Sequence, residues 1–234
     1  MTEREPLDVI EAMQSMPARR YLKPDPIPDD ILWEILDAAI RGPTGGNNQQ
    51  WGWVVVRDPE IKQKIADSYR PILQSAYGHG RARPEDLTGG KRLQWGTLEV
   101  AESDVGVDAA NQRAVLHLAD TIQNAPVLVL PVIERAAAYN DTQAHGALLG
   151  SFIYGAVQNL MLAARAHGIG SVLTGGRVLS DISDINQWLG LPELAAVMAL
   201  IPLGYPERGR WAQPKRRSVE QVTHWDRWGE QHTR

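Results

Sequence analysis

The chain has 234 residues, of which 43% are hydrophobic and 22% are charged, and its formal net charge is −4. This composition is typical of a globular protein with a sizeable core, and the acidic balance argues against a general nucleic-acid binder, which normally carries excess positive charge. Cysteine is absent, which excludes disulfides, thiolate nucleophiles, iron–sulfur clusters and thiolate zinc sites. No secretory signal pattern is recognisable near the start, so we expect a cytoplasmic protein.

The first clear helix is predicted over residues 29–41, where apolar side chains recur at helical spacing. Asp29 or Asp30 is expected to cap its start, and Gly42-Pro43 is expected to end it.

Residues 42–51, Gly-Pro-Thr-Gly-Gly-Asn-Asn-Gln-Gln-Trp, are the most informative segment of the chain. They separate the first helix from an apolar run at 53–56 that predicts a buried strand. Glycine and proline end the helix and let the backbone approach a ligand, while the successive carboxamides offer donors and acceptors without ionising. The segment suits a large planar polar ligand, although surface turns often have a similar composition.

The next helix is predicted to open at Asp58-Pro59, with Asp58 as its cap. Residues 78–112 show no regular pattern and are expected to form a long excursion that acts as a lid. Residues 205–234 are expected to form a C-terminal extension rich in Trp, Arg and Pro. The chain contains no internal repeat or convincing linker, so a single domain spanning residues 1–234 is the simplest account.

Alternating helices and strands are predicted in the second half of the chain. The helices are expected at 114–123 and 181–190, and the strands at 127–130, 171–174 and 195–203. This alternation indicates an α/β or α+β sheet covered by helices.

Residues 146–164 contain no charged side chain. A membrane span is one interpretation, but adjacent Gln158 and Asn159 and the lack of asymmetric basic flanks favour a central buried helix. Its glycines would also let two such helices pack closely across a dimer. The helix is expected to end at His167-Gly168, where glycine supplies a left-handed cap.

Basic residues are concentrated in two clusters far apart in the sequence. The clusters are Arg19, Arg20 and Lys23 near the start, and Arg208, Arg210, Lys215, Arg216 and Arg217 near the end. In an acidic protein, two such clusters indicate a fixed anion such as a ligand phosphate, with a solvated basic surface as the alternative.

Familiar catalytic motifs do not occur in the sequence. The stretch Gly168-Ile169-Gly170 begins like a dinucleotide fingerprint, but it follows a helix and lacks the third glycine. The six histidines are scattered without ligand spacing, so no metal site is expected. A chain with anion anchors and an amide-rich loop, but no acid, base or nucleophile, is typical of a protein whose chemistry resides in a cofactor.

Four segments, taken in order, resemble the motifs of the FMN-dependent nitroreductase family. They are the basic entry with its Pro-Asp-Pro-Ile-Pro continuation at 18–28, the Pro-Thr-x-x-Asn-x-Gln loop with its Val-rich strand at 43–56, the Gln-Asn helix and Gly-Ile-Gly turn at 158–176, and the Ile-Pro-Leu-Gly-Tyr-Pro and Pro-Lys-Arg-Arg segments at 201–217. One departure is Met16-Pro17-Ala18, where most members have Arg-x-Ser. Arg19 or Arg216 is therefore expected to supply the missing contacts.

This resemblance implies an α+β three-layer sandwich, in which helices flank a central, mainly antiparallel sheet. It also implies an intertwined homodimer with two FMN sites at the interface. The residues implied to bind FMN are Arg19 and Arg20 in the first segment, Pro43, Thr44, Gly45, Asn47 and Gln49 from the partner subunit, Leu173, Thr174, Gly175 and Gly176 along the isoalloxazine edge, and Lys215 and Arg217 at the phosphate. No side chain is implied as catalytic, and a cation such as Arg20 would stabilise the negative charge of the reduced ring.

The activity implied is that of an oxidoreductase in which NAD(P)H and then a small acceptor react at the flavin in turn. Nitroaromatics, quinones or related conjugated molecules are the expected acceptors, and neither nucleic acid nor a membrane is an expected partner. Two alternatives remain open. One is a flavin-sequestering protein of the same fold without turnover, and the other is a specialised enzyme such as a reductive dehalogenase or a flavin-fragmenting enzyme. The lid signature of the dehalogenases is not evident in the sequence.

Overall fold

The computed structural model describes residues 7–77, 105–136, 143–174, 184–214 and 216–232. Within these ranges the α-helices are α1 (Val9–Gln14), α2 (Asp29–Ala39), α3 (Pro59–Tyr77), α4 (Val105–Thr121), α5 (Gln143–Ala166) and α6 (Ile185–Trp188). Short 3₁₀ turns lie at Gly45–Asn47, Ile122–Asn124 and Glu220–Val222. The strands are β1 (Trp51–Val56), β2 (Val127–Ile133), β3 (Gly170–Ser171), β4 (Ala196–Val197) and β5 (Ile201–Gly204).

The described strands form one sheet in the order β1-β2-β5-β3, with β4 pairing separately with β2. All of these pairs are antiparallel, and the longest ladder sets Trp51 opposite Ile133 and Val56 opposite Leu128. The expected α+β class with a mainly antiparallel sheet is confirmed.

Both faces of the sheet are covered, because side chains alternate along a strand. On one face Val129 of β2 belongs to the same core cluster as Ile153 of α5. On the other face its neighbour Leu128 shares a cluster with Ile65 of α3 and Leu118 of α4. Every residue of β2 is buried, which explains why this strand reads as a continuous apolar run. The arrangement is the expected three layers of helix, sheet and helix.

Helix α2 begins differently from the prediction. Pro28 occupies the N-cap position without a side-chain cap, and Asp29 and Asp30 both lie within the first turn. The expectation that one of them caps the helix is therefore wrong. Carboxylates in the first turn still stabilise the helix, because they lie close to the positive end of its dipole.

Helix α3 has the predicted cap. The Asp58 carboxylate accepts hydrogen bonds from the backbone N–H groups of Glu60 at 2.8 Å and Ile61 at 3.0 Å. These two bonds satisfy donors that have no partner within the helix.

Helix α4 starts at Val105, well before the predicted residue 114. Residues 105–112 are therefore helical, and the expectation that they belong to an irregular excursion is wrong. Their small and polar side chains carry too little apolar periodicity for a helix to be predicted. The rest of the predicted lid, residues 78–104, lies outside the described residues and its role stays a prediction.

The strand predicted over residues 195–203 is in fact two strands, β4 and β5, which both pair with β2. Between them Leu200 leaves β2 and exchanges backbone hydrogen bonds with Thr174 at 2.8 and 3.0 Å. Opposite this break, Pro131 of β2 has no N–H to donate, and only its carbonyl bonds to the backbone of Met198, at 2.8 Å.

Helix α5 follows the prediction of a long central helix, and Gly168 just beyond it has a φ of 70°, as expected for a left-handed cap. None of the described helices combines the length and apolar character needed to cross a bilayer. The helix predicted at 181–190 is described only from residue 184, and α6 forms its second half.

Candidate functional site

The amide-rich loop between α2 and β1 has an unusual backbone. Gly46, Asn47 and Gln49 have φ values of 58°, 54° and 48°, a left-handed region that side chains other than glycine seldom adopt. The Thr44 hydroxyl accepts a hydrogen bond from the Gln49 backbone N–H at 3.1 Å, and Asn47 Oδ1 accepts one from Gln49 Nε2, also at 3.1 Å. These bonds hold the loop in one shape while Asn47 and Gln49 stay exposed.

The loop rests on the middle of α5. A Cβ added at Gly42 would lie 2.8 Å from the backbone nitrogen of Ala156, and one at Gly45 would lie 3.0 Å from the Phe152 ring. Glycine at these positions therefore lets the loop approach the helix closely. Pro43 also lies against α5, at Gly155.

The two basic clusters meet in the fold, although about 190 residues separate them in sequence. The backbone of Leu22 pairs with Pro206, and the Lys23 N–H donates to the Tyr205 carbonyl at 2.8 Å. The Arg19 guanidinium donates to the backbone carbonyls of Arg208, at 3.3 Å, and Arg210. These contacts place Arg19, Arg208 and Arg210 together beyond the end of β5, a region called the basic end of the sheet below.

Arg19 also borders the strand β3. Its backbone N–H donates to the Ser171 carbonyl at 2.9 Å. Burial lowers the pKa of the Arg19 guanidinium, and the nearby charge of Arg165 lowers it further. Arg19 Nε and Ser171 Oγ are buried and have no hydrogen-bond partner among the described residues, an arrangement that is rare away from ligand or water sites.

The segment after β3 runs along β5 away from Arg19, since Ser171 pairs with Leu203 and Thr174 pairs with Leu200. Leu173 is 46% exposed despite its apolar side chain. Next to it, the Thr174 hydroxyl lies 2.6 Å from the hydroxyl of the fully buried Tyr69. Gly175 and Gly176 lie outside the described residues, so their predicted contacts stay predictions.

The remaining predicted residues are placed as follows. Arg20 is half-buried, next to Arg19, and Arg217 is exposed on an irregular segment. Lys215 lies outside the described residues. Their roles at a ligand phosphate stay predictions.

Within one protomer the amide-rich loop and the basic end of the sheet contact different parts of α5. The loop touches Phe152 and Ala156, whereas Trp211, which contacts Arg19, also contacts Arg165 near the end of the helix. Ala156 and Arg165 are nine residues apart in α5, or about 13 Å at the rise of an α-helix. The structure therefore brings Arg19, Arg208 and Arg210 together beside Ser171 but keeps the loop of the same protomer apart from them.

Several residues that contact β3, the segment after it or the basic end are not predicted from the sequence. They are Tyr69, Arg165 and Trp211, together with Tyr21, whose ring stacks on His117 at 4.0 Å and lies under the Arg208 guanidinium, also at 4.0 Å. Arg165 could have been noticed as the charge that ends the long uncharged stretch, and Trp211 as an aromatic residue among arginines. The described residues contain no cluster of His, Asp and Glu that could hold a metal ion.

Two proteins of known name are similar in sequence to most of this chain. A relative from Thermus thermophilus, named NADH dehydrogenase, is 31% identical over 214 residues, covering 92% of this chain and 93% of that protein. The iodotyrosine deiodinase of Thermotoga neapolitana is 23% identical over 197 residues, covering 84% and 87%.

Solved structures share the fold. A crystal structure of an iodotyrosine deiodinase bound to FMN and 3-iodo-L-tyrosine superposes with a TM-score of 0.65 at 18% identity, covering 93% of this chain and all of that one. The family model described as "Nitroreductase family" matches residues 18–205, a range that includes the amide-rich loop and all five described strands. With this match over most of its length, the chain belongs to the nitroreductase family of oxidoreductases.

Proposed function

We propose that this protein binds FMN and uses it to transfer reducing equivalents from NAD(P)H to a small conjugated acceptor such as a nitroaromatic or a quinone. The observation that carries the proposal is the meeting of the two basic clusters beside β3. Their charge matches a ligand phosphate, and the neighbouring segments offer neutral donors and acceptors.

The donor set of the site fits FMN. The Arg19 Nε and Ser171 Oγ atoms are buried without a partner, and a polar ligand or its ordered water would satisfy them. Positive side chains balance a phosphate, and the carboxamides of Asn47 and Gln49 can donate to and accept from a flavin ring. Exposed Leu173 provides an apolar surface on the segment after β3.

Bound FMN supplies the electron-transfer chemistry, which no side chain of this site provides. The chain's own residues would bind and orient the cofactor. Arg19, Arg20, Lys215 and Arg217 would supply positive charge, Leu173 to Gly176 would line one edge, and the loop from Pro43 to Gln49 would supply amides.

The proposed assembly is a homodimer, and the position of the loop supports it. The loop lies about 13 Å or more along α5 from the basic end, so a second copy would bring its loop to the first copy's basic segments. An exposed stripe on α5, comprising Leu148, Ser151, Tyr154, Gly155 and Gln158, recurs at helical spacing and offers a surface for that copy.

Loading the purified protein with FMN tests the function. We expect yellow protein that elutes as a dimer, loses its flavin absorbance when NADH or NADPH is added without oxygen, and regains it when a nitroaromatic or quinone follows. Protein that takes up no FMN would contradict the proposal. Protein that binds FMN but is bleached by neither nucleotide would instead support a flavin-sequestering role.

A second candidate function is reductive dehalogenation. It is favoured by one observation, the sequence similarity to iodotyrosine deiodinases, which covers 84% of this chain in the Thermotoga neapolitana relative. The test supplies the FMN-loaded protein with a suitable reductant and compares two rates, the release of iodide from 3-iodotyrosine and the reduction of nitroaromatics or quinones. Faster release of iodide would support reductive dehalogenation.

A further inference from the structure

Trp211 contacts two arginines that belong to distant parts of the chain. The Cζ atoms of Arg19 and Arg165 lie 4.5 and 4.2 Å from the centre of its ring. Both distances are within the range of a cation–π interaction, which is strongest where the cation is removed from water. Trp211 lies just beyond the residues that match the family model.

The Arg165 side chain, which contacts the Trp211 ring, is itself held in place by burial and hydrogen bonds. Its side chain is in the last turn of α5 and only 7% exposed. Its Nε donates to the Ser15 carbonyl at 3.2 Å and to the Ser15 hydroxyl at 3.1 Å. The Ser15 hydroxyl in turn donates to the Glu11 carbonyl at 2.6 Å, so Arg165 is tied to the end of α1.

Arg19 binds the residues that come just before Trp211 in the sequence. Its guanidinium donates to the carbonyls of Arg208 and Arg210. Between them Gly209 has a φ of 91°, and a Cβ added there would lie 2.6 Å from Arg19 Nη1. Only glycine can therefore bring these two carbonyls around the guanidinium. Residues 208–211 are held by two arginines at once.

We infer that Arg165 and Trp211 are positioning residues that fix residues 208–211, and with them the Arg19 guanidinium, so that Arg19 is held in place for the cofactor phosphate. The inference rests on the proposed binding of FMN. Arg19 Nε is buried without a hydrogen-bond partner among the described residues, so one donor of the held guanidinium is left for a ligand. Arg165 and Trp211 would act through Arg19 and not by contact with the cofactor.

Replacement of Trp211 tests the inference. In Trp211→Ala we expect the Kd for FMN, measured by quenching of flavin fluorescence, to rise about ten-fold. The dependence of this Kd on salt should also weaken, because Arg19 would no longer be held in place for the phosphate. Trypsin should cleave the apo protein after Arg208 and Arg210 several times faster. Trp211→Phe keeps a ring on the two guanidinium groups and should restore most of each property.

Trp228→Ala is the matched control, since Trp228 is 90% exposed in the same C-terminal region, and all three measurements should stay at the wild-type value. Arg165→Gln should repeat the effects of Trp211→Ala. Should this buried substitution prevent folding, the two Trp211 variants decide the question.

A Trp211→Ala protein that melts at a lower temperature, yet keeps the wild-type FMN affinity and salt dependence, would overturn the positioning role. Failure of the proposed function looks different, because the wild-type protein itself would then bind no FMN. That result would overturn the cofactor part of the inference, while the rate of tryptic cleavage in apo Trp211→Ala would still show whether the ring holds residues 208–211.

Discussion

The hydroxyl of Tyr69 lies 2.6 Å from Oγ1 of Thr174, joining the buried side of α3 to the segment that follows β3. Tyr69 is fully buried, so its hydroxyl needs a partner inside the protein. Thr174 is also fixed by two backbone hydrogen bonds to Leu200. The residues that lead into Gly175 and Gly176 are therefore held from two directions.

This hydrogen bond predicts the behaviour of Tyr69→Phe. The free energy of unfolding of the apo protein should fall by about 1 kcal/mol, since the half-buried Thr174 hydroxyl loses this hydrogen bond. The Kd for FMN should rise several-fold, because Thr174 becomes free to turn away. A double-mutant cycle with Thr174→Val, measured by urea unfolding, should show a coupling energy of at least about 0.5 kcal/mol. Additive effects would show that the two hydroxyls do not interact.

The contact between Gly42 and α5 predicts a large effect from one methyl group. In Gly42→Ala the new Cβ would lie 2.8 Å from the Ala156 nitrogen and 2.9 Å from its Cα. Because these are backbone atoms, the loop must move, and we expect a loss of about 1–3 kcal/mol in the free energy of unfolding. Thermal unfolding measured by circular dichroism checks this value.

Gly52→Ala is the matched control for this prediction. A Cβ at Gly52 would meet the Val132 side chain at 4.0 Å, an ordinary contact. Its free energy of unfolding should stay within about 0.5 kcal/mol of wild type. Equal losses in the two variants would mean that the close approach of the loop to α5 is not what matters.

The basic segment at the C-terminal end predicts a specific loss of FMN affinity. Replacing both Lys215 and Arg217 by Ala should raise the Kd for FMN about 10- to 100-fold, as expected for the loss of charge-assisted hydrogen bonds. The apo melting temperature should hardly change, because Arg217 is exposed. Arg227→Ala removes an exposed charge from the same region and should leave the Kd unchanged. An unaltered Kd in the double variant would rule out the phosphate role.

Lys62 predicts a dependence of stability on pH. Its Nζ donates to the Ala125 carbonyl at 2.9 Å, and burial lowers the pKa of this amine below its ordinary value of 10.5. Between the lowered pKa and 10.5 the unfolded chain binds more protons at this position than the folded one. The contribution of Lys62 to the free energy of unfolding therefore rises with pH in this window.

Urea unfolding from neutral pH to 10.5 measures this effect. Stability should rise less with pH in Lys62→Met than in the wild type, because the titrating amine has been removed. Lys64→Met, which changes an exposed lysine of the same helix, should keep the wild-type slope. Identical slopes in all three proteins would show that Lys62 is not appreciably desolvated.

Local sequence signals predicted much of the fold. Asp58 caps α3, Gly168 ends α5, and the apolar runs at β1 and β2 are strands. These features depend on neighbouring residues, so the sequence reports them directly. The break between β4 and β5 depends instead on Thr174 pairing with Leu200 from a distant segment. Local periodicity contains no information about that contact.

In the candidate site too, the features that depend on residue type could be predicted and those that depend on distant contacts could not. Two basic clusters and an amide-rich loop were recognisable from residue types alone. The carbonyl contacts of Arg19 were not, because they depend on the left-handed backbone of Gly209 and on the ring of Trp211. Arg165 was not predicted for a related reason, since its hydrogen bonds go to Ser15, which is 150 residues away in the sequence.

The pairing of Leu22 with Pro206 and of Arg19 with residues 208 and 210 has a consequence for biosynthesis. During translation Arg19 emerges from the ribosome about 190 residues before Arg208 and Arg210 are made. The nascent chain can form its helices and begin its sheet as it is extruded, yet these contacts of Arg19 cannot form until residue 210 has been added. Uptake of a cofactor held by these residues, as we propose, would therefore have to wait for that stage of synthesis.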